Sequence, residues 1–319
     1  MFDPVCYSMA RDISSATDHD IFILNGDLER PLDFHFLRFI TKHKEESKAL
    51  LILVTPGGDA DVAYRIARHL QDFYEEFSVF VSGWCKSAGT LCAIGANRII
   101  MSTEGELGPL DVQLGRKDDL IGYGSGLEIE AALGALKGYT FNHFEGTMLE
   151  IISKSEGRVS VNTAAQIAAN LTVGLFSEIY SQIDPAKVGE IARSMMIARD
   201  YGARLASHSD NLIGGEDSLS LLVSSYCSHS FVIDFREARK IFNSLERPDD
   251  ALSALQTALG RVALFPAPEA ILECLSKIET VSTENDHGPQ NDEEGIGGEQ
   301  QAIKDNLREG GRQDGEDTP

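Results

Sequence analysis

Three short apolar runs constrain this chain more than any other feature: residues 21–24 (IFIL), 49–54 (ALLILV) and 77–82 (FSVFVS). Each is rich in aliphatic or aromatic side chains and lacks the polar alternation of a strand with one wet face, the pattern of strands covered on both sides. Between them lie residues 32–44 and 60–74. In the second of these, Val62, Ile66, Leu70 and Phe73 recur at helical spacing, and Asp59 or Asp61 can cap its start. A βαβαβ succession of this kind implies parallel strands joined by helical crossovers, hence an α/β fold.

The same alternation continues with a helix over 87–95 and a strand over 98–101 (RIIM). Residues 105–126 carry too many glycines to form one regular element. Beyond them the sequence predicts helices over 128–137, 141–155, 162–180 and 187–201, with starts at Asn162 and at Asp184-Pro185. From about Ser276 large apolar side chains almost vanish. The expectation is a folded domain over 1–275 and a disordered acidic tail over 276–319, which cannot bury enough apolar surface to offset its ordering entropy.

Charge narrows the function. With 50 acidic against 28 basic residues the net charge is -22, which disfavours a binder of nucleic acid or of an anionic membrane surface. Cys6, Cys85, Cys92, Cys227 and Cys274 are scattered, without a CxxC pair or zinc-type spacing. They predict buried, reduced thiols, a cytoplasmic setting, and no metal or other cofactor. The first eighteen residues lack a basic segment followed by an apolar run, and no apolar stretch of about 18 residues occurs. Neither a signal peptide nor a membrane span is expected.

Two segments sit where strands should end. Thr55-Pro56-Gly57-Gly58 follows the second strand, where open α/β sheets place ligands, and its glycines let backbone N–H groups approach a substrate. Gly83-Trp84-Cys85-Lys86-Ser87-Ala88-Gly89-Thr90 follows the third strand and opens a helix. A serine there lies near unpaired N–H groups and the positive end of the helix dipole. Taken singly, the first segment also suits a plain tight turn, and Ser87 also suits a helix cap.

Together with Gly105-Glu106-Leu107-Gly108-Pro109-Leu110-Asp111, these segments resemble the Clp-fold serine peptidases, the caseinolytic protease subunit and signal-peptide peptidase A, which share the crotonase-type spiral of βαβ units. Residues 108–113 (GPLDVQ) are closer to the peptidase A side. Residues 226–234 (YCSHSFVID), followed by Glu237-Ala238, resemble the serine dehydrogenase proteinase family. The resemblance covers roughly residues 20–245. It implies that Ser87 attacks a peptide carbonyl and that the N–H groups of Gly58 and Ala88 hold the resulting oxyanion.

The chain departs from the caseinolytic pattern at the base. That pattern has a histidine roughly two dozen residues after the serine, whereas here the stretch holds Asp111 and Val112, and the next histidine is His143. Peptidase A relatives use a lysine, and Lys137 lies at a comparable distance. A lysine base needs a desolvated pocket to lower its pKa from about 10.4, and Ala132, Leu133, Ala135 and Leu136 flank Lys137; the alternative is a lysine facing water. Lys86, about 100° from Ser87 on a helix, is read as a substrate or solvent contact. His143 is a lesser candidate, His229 is read as structural, and Asp111 as a loop-fixing carboxylate.

The resemblance thus implies a homo-oligomeric serine endopeptidase acting on peptides or unfolded proteins. No GxxxxGK[ST] loop is present, so folded substrates would need a separate unfoldase. Two rivals are a crotonase-type acyl-CoA enzyme, in which Ser87 is dispensable, and a catalytically inert scaffold of the same fold.

Overall fold

Alternate residues of the central strands point into two separate cores, which is why their sequence shows no polar face. In the computed structural model, which describes residues 2–110, 113–114, 124–226, 228 and 230–277, the chain opens with α1 (Pro4–Thr17), β1 (His19–Asn25), α2 (Leu32–His43), β2 (Lys48–Val54), α3 (Ala60–Phe73) and β3 (Glu76–Val81). Then come β4 (Trp84–Cys85), α4 (Ala88–Gly95), β5 (Arg98–Met101), β6 (Glu106–Leu107), β7 (Gln113–Leu114) and β8 (Gly124–Ser125). The rest comprises α5 (Gly126–Lys154), α6 (Val161–Tyr180), α7 (Pro185–Ser209), α8 (Glu216–Ser220), α9 (Phe235–Ala238), β9 (Leu245–Glu246), α10 (Asp250–Leu259) and β10 (Ile271–Cys274).

The main sheet has the order β10-β1-β2-β3-β5-β9. All neighbours run parallel except β10, which pairs antiparallel to β1 with Phe22 opposite Cys274. Phe22, Leu24, Leu51, Leu53, Val79 and Val81 face the core built with α2, α3, α4 and the end of α7. Ile21, Ile23, Leu50, Ile52, Phe80 and Ile100 face the opposite core, closed by Cys6, Ala10 and Ile13 of α1 and by Leu252, Leu255 and Leu259 of α10. The fold is therefore mixed α/β with a predominantly parallel sheet, as the alternation of apolar runs predicts.

The structure corrects the reading in several places. α1 was not anticipated; it starts where the Asp3 carboxylate accepts the Val5 N–H at 2.9 Å and Pro4 sets the first helical φ. The separate helices expected over 128–137 and 141–155 form the single α5, because Gly138 costs an exposed helix only about 1 kcal/mol. The helix expected over 162–180 begins at Val161, with Ser160 as its cap. α7 starts at the Asp184 cap as expected but continues to Ser209. There the Ser209 hydroxyl donates to Ile94 O at 2.8 Å and Gln71 joins Gly95 O to Leu205 O, tying α7 to α4. The described residues belong to one compact unit, and nearly all of the expected tail lies outside them.

Candidate active site

The loops leaving the C-terminal ends of β2 and β3 are joined to each other by backbone hydrogen bonds. Thr55 N–H donates to Trp84 O at 2.7 Å, and Lys86 N–H donates to Thr55 O at 3.0 Å, so β4 extends the parallel pairing beyond the main sheet. Gly83 lets this happen, since a Cβ there would lie 2.2 Å from Leu264 O. The consequence is that the two sequence segments singled out above meet. A Cβ on Gly57 would fall 2.8 Å from Ser87 Cβ and 3.3 Å from its Oγ.

Gly57 and Gly58 have φ of 122° and 137°, a region that L side chains rarely adopt. Their peptides are held by Leu28, which donates its N–H to Gly57 O at 2.9 Å and accepts the Asp59 N–H at 2.8 Å. A Cβ on Gly58 would sit 2.5 Å from Leu28 O. Among the described residues, neither Gly58 nor Ala88 donates its backbone N–H to a protein acceptor. In Ala88 this follows from its place as the first residue of α4.

Ser87 is buried, with φ 48° and ψ -113°. A non-glycine residue costs of order 1–3 kcal/mol in so sparsely populated a region, and it stays there only if its surroundings hold it. It precedes α4 without capping it through its side chain, so the helix-cap reading does not explain the residue. A serine on a strained strand-to-helix turn places its hydroxyl at the positive end of the helix, beside unpaired N–H groups.

Residues 105–110 form a third wall. β6 pairs with β4, Leu107 exchanges both backbone hydrogen bonds with Ile233, and Leu110 N–H donates to Leu222 O at 2.9 Å. Lys86, expected to contact substrate or solvent, instead forms an ion pair with Glu106 at 3.3 Å; the two side chains are only 12% and 17% exposed. The expectation failed because Lys86 precedes α4, and the β4–β6 pairing, not helical geometry, sets its direction. Asp111 and His229 lie outside the described residues.

Both base candidates lie on α5. Lys137 is exposed on α5, without a hydrogen bond or ion pair among the described residues, so its flanking alanines and leucines do not desolvate it in the single chain. His143 is half-buried against the Phe176 ring of α6, 5.9 Å between centroids. Cys85 and Cys92 are buried, and burial raises both thiols, Cys92 to about 12, so neither offers a thiolate. Cys6 and Cys274 are also free and buried, and Cys227 lies outside the described residues. No cluster of metal-ligating side chains occurs among the described residues. Sequence reasoning overlooked Gly57 as the glycine against Ser87, Leu28 as its support, and Thr90, which holds the third wall. Only the double glycine left a sequence signal.

Residues 31–119, which include Gly58, Ser87 and Ala88, match the family of ClpP-like SDH-type serine proteinases. Two uncharacterized proteins of Methanocaldococcus jannaschii, MJ0137 and MJ1495, are 40% and 35% identical over 80 residues. Those residues are 25% of this chain and only 28% and 27% of the two relatives. Two solved variants of the 1510-N membrane-bound stomatin-specific protease, one bound to a substrate peptide, are 19% identical. The match covers 46% of this chain and 67% and 64% of theirs, with a TM-score of 0.29. Over the segment that holds Gly58 and Ser87, this mixed α/β chain is similar to the ClpP-like SDH-type serine proteinases.

Proposed function

We propose that the protein is a serine endopeptidase that hydrolyses peptides or unfolded proteins through an acyl-enzyme at Ser87. The observation that carries this reading is the strained Ser87 turn packed against Gly57, with the Gly58 and Ala88 N–H groups donating to no acceptor among the described residues. In the first step Ser87 Oγ attacks the scissile carbonyl carbon as its proton passes to a base, and negative charge develops on the carbonyl oxygen. The Gly58 and Ala88 N–H groups would hold that oxygen. Collapse of the intermediate expels the amine, which takes up the proton, and water then releases the acid by the reverse proton path.

Lys137 is the proposed base. It is exposed in the single chain, so the role requires bound substrate or a neighbouring copy to cover it. The large apolar side chains exposed along α5, α6 and α7, among them Phe141 (62%), Val173 (65%) and Met196 (70%), support a homo-oligomer in which such covering occurs. Among the described residues no helix is long and apolar enough to cross a membrane. The buried free thiols fit a reducing, cytoplasmic setting. Folded substrates would require a separate unfoldase.

The test is labelling with a fluorophosphonate probe followed by mass spectrometry. Wild type is expected to carry the phosphonate on Ser87, and Ser87→Ala to lose it entirely. An unlabelled wild type that also fails to cleave unfolded casein would overturn the assignment.

A further inference from the structure

Besides the β4–β6 pairing and the Lys86–Glu106 ion pair, the hydroxyl of Thr90 ties the third wall to the serine turn. Thr90 is fully buried on the first turn of α4. Its Oγ1 lies 2.7 Å from Gly108 O and accepts the Gly108 N–H at 3.2 Å, with Cys85 O at 3.3 Å as a further neighbour. One hydroxyl therefore holds both polar groups of Gly108, donating to the carbonyl and accepting from the amide. Gly108 in turn abuts the nucleophile's backbone: a Cβ there would lie 3.4 Å from Ser87 N, 3.5 Å from Lys86 Cα and 2.9 Å from Lys86 Cδ. With Gly57 against Ser87 Cβ, the Ser87 turn is confined between two glycines, and each glycine is anchored by hydrogen bonds. Backbone strain at Ser87 persists only while both walls stand.

We propose that Thr90 is a positioning residue for Ser87, acting through Gly108 to keep the serine turn in its strained, reactive conformation. This rests on the serine-nucleophile reading above. Loss of the hydroxyl leaves the Gly108 amide and carbonyl without partners in a buried place, and the wall moves to re-pair them. The turn then relaxes, and Ser87 Oγ leaves the geometry of attack for part of the time.

The experiment measures the rate of fluorophosphonate acylation per labelled site in Thr90→Val and Thr90→Ser, alongside kcat and KM on a fluorogenic peptide. Thr90→Val keeps the shape and removes the hydroxyl; it is expected to acylate about tenfold more slowly. The final labelled fraction should be unchanged, with kcat lowered and KM within about twofold. Thr90→Ser restores the hydroxyl and should restore the rate. A residue needed only for folding would lower the labelled fraction instead. If Thr90→Val does not fold, Thr90→Cys, whose thiol is a weaker donor, should acylate at an intermediate rate with a normal labelled fraction. Wild-type rates in Thr90→Val or Thr90→Cys, or a Thr90→Ser as slow as Thr90→Val, would overturn the positioning role while leaving the serine nucleophile intact. An unlabelled wild type would overturn both.

Discussion

The sheet with its connecting loops and the arm made by α5, α6 and the first half of α7 both carry large apolar side chains, yet they use them in opposite ways. In the sheet, Phe22, Leu53, Val79 and Phe80 are fully buried, and each loop at the strands' ends is fastened by backbone hydrogen bonds to its neighbour. On the arm, Tyr139, Phe141, Val173, Leu175 and Met196 are each more than half exposed, and α5 and α6 pack chiefly on one another. Apolar patterning therefore reports burial in the sheet and surface on the arm. Stability should reside in the first region, and the second should contribute to chemistry or association without holding the fold.

The proposed role of Lys137 tests this division most strongly. Lys137→Ala should leave thermal stability unchanged, since the side chain is exposed, yet lower Ser87 acylation by at least about a hundredfold if it supplies the base. Acylation at the wild-type rate would remove the arm from the chemistry. Next in size is a paired truncation followed by urea denaturation. Phe80→Ala, in the core beneath α1 and α10, should cost about 3–5 kcal/mol, whereas Leu175→Ala should stay within about 0.5 kcal/mol in dilute monomer. A concentration-dependent loss in Leu175→Ala would sharpen the comparison, because it would mean that a second copy buries this face.

The smallest expected effect concerns pH. His19 is buried at the start of β1, its Nδ1 lies 2.7 Å from Thr17 O, and its Nε2 has no partner among the described residues. Burial, the largest cause, lowers its pKa from 6.5. The unfolded chain then binds the proton more readily, so stability present above about pH 6.5 is lost as pH falls toward the lower folded value. His69, lowered mainly by burial as well, acts in the same direction. Melting temperatures from pH 7.5 to 5 should drop less steeply in His19→Gln than in wild type, and equal slopes would assign the acid sensitivity elsewhere.

Much of the fold was legible in the sequence because the strand signal is local. The runs that become β1, β2, β3 and β5 declare themselves by composition, and Asp59 and Asp184 mark helix starts by residues that cap their own N–H groups. β10 was not legible. It is a short edge strand in which only Cys274 is buried, and it exists because β1 offers an open edge far earlier in the chain. Within the site, the double glycine and the serine turn were legible as turns. Their meeting was not, because it depends on Thr55, Trp84 and Lys86 pairing across two connections.

What the residue pattern determined alone is the alternation of strand and helix, the need for glycine at Gly57 and Gly58, and the presence of a small-residue serine turn before α4. These are properties of single segments, set by side-chain shape and backbone freedom within a few residues. The tertiary structure alone decided that Gly57 packs on Ser87, that Lys86 is held by Glu106, that Thr90 holds Gly108, and that Lys137 faces solvent in the single chain. Each of those outcomes is a contact between residues from different elements, and which partners meet depends on how strands order themselves in the sheet rather than on any local preference.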